Sequence, residues 1–168
     1  MVKIGNFFFH YRNTIFPIFY LALFIPSPKI FSDFLAPIIL GLIVLLIGQG
    51  IRVATIGLVY IIRGGRNRQI YAEDLVTDGL FSHCRNPLYL GNVVEILGLG
   101  ILANSIIFVL IMFPLFVFIY QAIIRAEEDF LSKKFGAKFD DYLKKVNRWI
   151  PNLKGIYQTL KSMKFNWR

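Results

Sequence analysis

The stretch Leu88–Ile124, LYLGNVVEILGLGILANSIIFVLIMFPLFVFIYQAII, decides the fold. It holds two apolar runs, 88–103 and 105–124, parted only by Ala103-Asn104-Ser105. The second run has 20 residues and one proline, Pro114. At ~1.5 Å per helical residue it matches a hydrocarbon core of ~30 Å. A link this short forces the two runs into a tight helical hairpin. The spacing predicts two membrane helices, the first rich in glycine and carrying one acid, Glu95.

Two more apolar stretches lie upstream. One covers about Thr14–Ile25, after Phe7-Phe8-Phe9 and before Pro26 and Pro28. No small-x-small cleavage site follows it, which argues against a signal peptide. The other, Phe34–Ile62, has 29 residues and must tilt or project from the bilayer. The expectation is an all-α integral membrane protein of one domain, residues 1–168. It has four or five transmembrane helices, four of them placed at 14–25, 34–62, 88–103 and 105–124. A cytoplasmic loop, 63–87, and a C-terminal amphipathic helical tail, 125–168, complete it.

Composition agrees. Of 168 residues, 56% are hydrophobic, above the ~45–50% of soluble domains, and 17% are charged, below the usual ~25%. The 17 Phe and 8 Tyr exclude disorder. A net charge of +9 raises nucleic acid as a partner, but in an apolar chain the basic flanks of a membrane protein explain it better. No nucleic-acid partner is expected. The tail holds 11 Lys and Arg and the loop four, against Lys29 alone in the Pro26–Asp33 turn. The positive-inside rule therefore places loop, tail and both termini in the cytoplasm, with anionic membrane lipids as their neighbours. In the tail, Leu131, Phe135, Phe139, Tyr142, Val146 and Trp149 form one helical stripe. Its lysines and Arg148 lie largely off that stripe, as in an interfacial helix, and Gly136 divides the segment.

Polar residues inside apolar helices are costly and must face protein or a wet cavity. Gln49, Arg52, Tyr60 and Arg63 share one face of the second segment, and Tyr89, Asn92 and Glu95 lie together on the third. An Arg52–Glu95 pair between the two helices is expected. It would serve either as bundle glue or in function. Gly41 and Gly48, Gly50 and Gly57, and Gly91 and Gly98 are each seven apart and suggest close helix contacts. Asn86-Pro87 reads as a helix start, which can also hold an anion beside Arg85. His10 and His83 are too poorly accompanied for a metal site. Cys84, the only cysteine, is a nucleophile only if something activates it. Glu127-Glu128-Asp129 can complement a helix start, bind a cation or take a proton.

Two blocks carry a resemblance. The first is Leu75-Val76-Thr77-x-Gly79-x-Phe81-x-x-x-Arg85-Asn86-Pro87-x-Tyr89-x-Gly91-Asn92. The second is Glu127-Glu128-x-x-Leu131-x-x-x-Phe135-Gly136-x-x-Phe139-x-x-Tyr142, ending Val146-x-Arg148-Trp149-Ile150-Pro151. Together they resemble the isoprenylcysteine carboxyl methyltransferase and phospholipid methyltransferase superfamily over roughly residues 40–151. Asn86 stands where the family more often has His. The family's arginine one turn before the second Glu is replaced by Ile124, with Arg125 one residue late.

The resemblance implies methyl transfer from S-adenosylmethionine to a lipid-like or isoprenylcysteine-like acceptor at the cytoplasmic membrane face. By that resemblance Leu75, Val76, Gly79, Arg85, Asn86, Pro87, Tyr89, Gly91 and Glu127 bind the cofactor, and Glu128 and Arg125 are the catalytic candidates. An NADPH-dependent membrane reductase and a non-catalytic lipid-binding protein are the competing readings. No metal is called for. The acceptor stays open among an isoprenylcysteine carboxylate, an ethanolamine head group, a thiol and a small amphiphile.

Overall fold

The computed structural model describes residues 1–57 and 70–162. Among them the chain is helical, with no β-strand. Helix α1 is Val2–Tyr20, α2 Leu35–Gly57, α3 Pro87–Leu102, α4 Phe113–Phe135, α5 Ala137–Lys145 and α6 Ile156–Ser162. The expected end of the second segment at Ile62, with Tyr60 and Arg63, lies outside the described residues.

Two helical stretches are long and apolar enough to cross a bilayer, Leu35–Ile56 and Phe108–Phe135. On α2 the large apolar side chains Leu35, Ile39, Ile43, Leu46 and Ile47 are exposed. Such a face fits lipid, and an apolar patch of that kind is foreign to water.

The helices associate as two pairs. The first is α2 on α3, and glycine sets its spacing. A Cβ on Gly41 would lie 2.6 Å from the Leu102 nitrogen, and one on Gly98 2.8 Å from the Leu45 nitrogen. Gly48 faces Glu95, and Gly91 faces the Arg52 side chain. These four glycines pack helix on helix, but Gly50 does not, since nothing lies within 4 Å of the Cβ it lacks. Gly98→Ala should therefore cost about 1–3 kcal/mol through forced separation of the backbones. Gly50→Ala should gain about 0.5–1 kcal/mol, because glycine in mid-helix is the poorer residue. Unfolding titration in mixed detergent micelles reads both, and equal effects at the two sites would refute the packing argument.

The second pair is α1 on α4. Phe16, Phe19 and Tyr20 close on Phe116 with ring centroids 5.3–5.8 Å apart, and Gly5 lets α1 touch Ala122 and Ala126. Helix α1 starts at Val2, not near Thr14 as expected. The added turns carry polar residues, of which His10 is exposed and Arg12 stacks over the Phe9 ring at 4.2 Å.

At one end of the bundle the Asn104 side chain accepts from the Ile30 and Phe31 N–H groups at 2.9 and 2.8 Å and donates to Phe31 O. That ties the Pro26–Asp33 turn to the hairpin. The N-terminus, the 70–86 loop, α5 and α6 gather at the other end.

Helix α4 continues without a break past Ile124 to Phe135, so the first part of the expected tail is an extension of a spanning-length helix. Gly136, at φ +53°, then turns the chain into α5. The tail stripe does not lie open to lipid. Leu131, Phe139 and Tyr142 are buried with Ala72, and Leu75, Phe135 and Val146 pack around them. Tyr142 donates to the Phe81 carbonyl at 2.6 Å. The stripe is thus the clamp that holds the loop.

Candidate functional site

The site forms where the loop, the start of α3, the middle of α4 and the segment after α5 meet. Residues seven apart on α4 share a face. Gln121 and Glu128 form one such pair, and Tyr120 and Glu127 form its neighbour. The first face receives the segment after α5: Trp149 Nε1 donates to Gln121 Oε1 at 2.7 Å, and Arg148 binds Glu128 through Nε at 3.0 Å and a terminal nitrogen at 2.6 Å. Arg85 reaches the same carboxylate at 3.4 Å. Glu128 thus stands between two guanidinium groups, with side chains of Arg85, Glu128 and Arg148 only 13%, 13% and 21% exposed. On the second face Tyr89 donates to Glu127 Oε1 at 2.6 Å, and both residues are buried.

The loop is pinned by backbone. Arg85 N–H donates to Asn147 O, and Asn152 N–H to His83 O, both at 2.9 Å. His83 Nδ1 lies 2.6 Å from the Asn152 carbonyl, which only accepts, so Nδ1 carries the proton. Nε2 then accepts from the Thr159 hydroxyl at 2.8 Å. Asn86 occupies the N-cap position of α3, but its amide donates to Arg148 O at 3.3 Å instead of capping the helix. The first N–H groups of α3 have no side-chain cap. Arg85 Nε is also buried with no protein acceptor among the described residues. An uncapped helix start and an unmatched guanidinium donor lie one residue apart in sequence.

Of the residues expected at the site, Arg85, Asn86, Pro87, Tyr89, Glu127 and Glu128 come together. Gly91 packs against Arg52 and Gly48 between helices. Leu75 belongs to the clamp cluster, Val76 is half-buried, and Gly79 turns the chain at φ +60°. No hydrogen bond among the described residues joins those three to Arg85. Arg125 is exposed on α4, and the arginine that grips Glu128 is Arg148. Arg148 and Gln121 were missed as site residues. The sequence pattern groups Arg148 with the tail lysines off the apolar stripe, although it stands beside Trp149 in the second block. Among the described residues no group of three or more His, Cys, Asp or Glu is placed to hold a metal ion.

Cys84 is buried, with its thiol 3.5 Å from Arg148 O and 3.6 Å from Trp149 O. Burial pushes the thiol up from its ordinary value, against the lowering by the Asn86 N–H and Arg85. It should therefore resist iodoacetamide at pH 8 in mild detergent for the time that fully alkylates it in SDS. Rapid alkylation of the folded protein would contradict this packing.

The phospholipid methyltransferase family matches residues 36–138. The nickel-cobalt-cadmium resistance protein NccN of Alcaligenes xylosoxydans xylosoxydans is 38% identical over 104 residues, 62% of this chain and 47% of its own length. The cobalt-zinc-cadmium resistance protein CzcN of Cupriavidus metallidurans is 35% identical over 107 residues, with the same coverage. The protein-S-isoprenylcysteine O-methyltransferase of Schizosaccharomyces pombe is 35% identical over 81 residues, 46% of this chain and 33% of its own. The chain spans about half the length of the first two relatives and a third of the last. It belongs to the phospholipid methyltransferase family.

Proposed function

We propose that this member of the phospholipid methyltransferase family is a single integral-membrane domain, 1–168, that transfers a methyl group from S-adenosylmethionine to a lipid-like acceptor at the cytoplasmic membrane face. The observation that carries the reading is the buried, unmatched Arg85 Nε beside the uncapped start of α3, in the motif that the family match contains.

Helices α1 and α3 are taken as the other two spans. Gathering of the N-terminus, loop and tail at one end supports a common cytoplasmic side, since 15 of the 19 Lys and Arg belong to loop and tail.

The residues suit the cofactor. Arg85 Nε and the α3 start offer donors to a carboxylate. Glu127, held by Tyr89, offers a buried carboxylate to an amine or sulfonium. Leu75, Val76 and Gly79 are kept as the upstream wall on the strength of the motif. When bound, S-adenosylmethionine supplies a methyl group activated by a positive sulfur. The chain's own residues then align, shield and balance charge. Glu128, both of whose oxygens are taken, acts as a positioning residue: it fixes Arg85 and Arg148 rather than accepting a proton.

Incubating the protein, reconstituted in membranes of its expression host, with methyl-labelled S-adenosylmethionine tests the proposal. Label should pass to membrane-extractable material. Oxidation of added NADPH with no label transferred would overturn it in favour of a reductase.

A further inference from the structure

A cavity of about 560 Å³ opens between the two helix pairs. Its walls come from α1, α2, α3 and α4, and they include Arg12, Arg52, Tyr89, Asn92, Glu95 and Tyr120. Helices α1 and α2 each pack on a different partner, and no extensive contact joins them among the described residues. The cavity therefore meets the α1–α2 seam, where Phe16, Pro17 and Ile56 supply apolar wall and Pro17 and Ile56 are exposed.

The polar groups in it are arranged. The expected pair of Arg52 and Glu95 is present at 2.5 Å between a terminal nitrogen and Oε2. Gly91 and Gly48 seat its two stems. Among the described residues Glu95 takes one terminal nitrogen, and Arg52 Nε is buried with no protein acceptor. A guanidinium held on one side and unmatched at Nε is short of an oxygen acceptor. Arg12, Arg52 and Glu95 lie on the wall, and Glu127 lies at the far end of the Tyr89 hydroxyl. Tyr89 is shared by this cavity and the Arg85–Glu128 site, so a head group here lies next to the proposed cofactor.

We propose that Arg52, positioned by Glu95, selects the acceptor by binding a carboxylate or phosphate on its head group, with the apolar chain leaving through the α1–α2 seam. The proposal rests on the methyltransferase reading and adds the group that sets specificity. It assigns to the second segment a selecting role that its sequence alone did not reveal.

Native mass spectrometry of the detergent-released protein tests it with four amphiphiles of one chain length: an alkyl carboxylate, an alkyl phosphate, an alcohol and an ammonium. At least one of the first two should bind about tenfold tighter than the last two, as a charge-assisted hydrogen bond requires. Which of them does so identifies the head group. Arg52→Gln should erase that preference while S-adenosylhomocysteine still binds. Because Arg52→Gln leaves Glu95 unpaired and can unfold the bundle, Arg52→Gln with Glu95→Gln is measured beside it and should behave alike. Equal binding of all four amphiphiles, or an oxyanion preference that survives in both variants, overturns the proposal. Oxyanion preference without any binding of S-adenosylhomocysteine would leave the Arg52 site standing and sink the methyltransferase reading instead.

Discussion

Glu128→Gln is expected to cost about 3 kcal/mol or more of folding free energy, the range for removing one partner of a buried ion pair. The carboxylate sits between Arg148, which grips both of its oxygens, and Arg85 at 3.4 Å. Neutralising it leaves two guanidinium groups facing each other in a site where water screens them poorly. The loop and the segment after α5 should then separate, since Arg148 is one of the bonds that hold them to α4. Lys133→Gln is the contrast. It also removes an ion pair, to Asp129 at 2.6 Å, but with the Lys133 side chain 75% exposed, so its effect should stay within about 0.5 kcal/mol. Unfolding titration in mixed micelles reads both. Equal losses would mean that the Glu128 cluster is an ordinary surface network.

Arg85→Lys separates ligand binding from structure. Lysine keeps the charge and can still face Glu128, but it has no Nε and no planar fork. The lost donor is the one with no protein acceptor among the described residues, so stability without ligand should change by less than about 0.5 kcal/mol. A bound carboxylate loses a charge-assisted hydrogen bond worth about 1.5–3 kcal/mol, and affinity for S-adenosylhomocysteine should fall about ten- to a hundredfold. Calorimetric titration and unfolding of the same preparation give the two readouts. A variant that unfolds easily and binds normally would make Arg85 a structural residue.

The helices were legible because apolar runs and their breakers are local. The hairpin at Ala103-Asn104-Ser105 and the division at Gly136 follow from a few adjacent residues. The Arg52–Glu95 pair was legible for a different reason: a charge in an apolar helix needs a partner, and few were on offer. Three features were not legible. The stripe from Leu131 to Val146 has the same period whether it meets lipid or the loop, and only the structure shows Ala72 and Leu75 against it. Gly50 shares the spacing of the packing glycines but faces open space, because the seven-residue interval fixes a face and not its neighbour. Arg148 looks like any basic residue of the tail until the turn after α5 brings it to Glu128. In the candidate site, Arg85, Tyr89, Glu127 and Glu128 came from motif resemblance. Their bonds to each other depend on contacts 38 residues apart in sequence for Tyr89 and Glu127 and 43 for Arg85 and Glu128.

Binding of the methyl donor at the Arg85 end of the bundle is tested by calorimetric titration of the purified protein and of Arg85→Lys with S-adenosylhomocysteine, with NADPH in parallel. Saturable binding of S-adenosylhomocysteine by the wild-type chain, weakened at least about tenfold in Arg85→Lys and absent for NADPH, is the predicted result. Binding of NADPH alone, or S-adenosylhomocysteine binding that ignores Arg85, would contradict it.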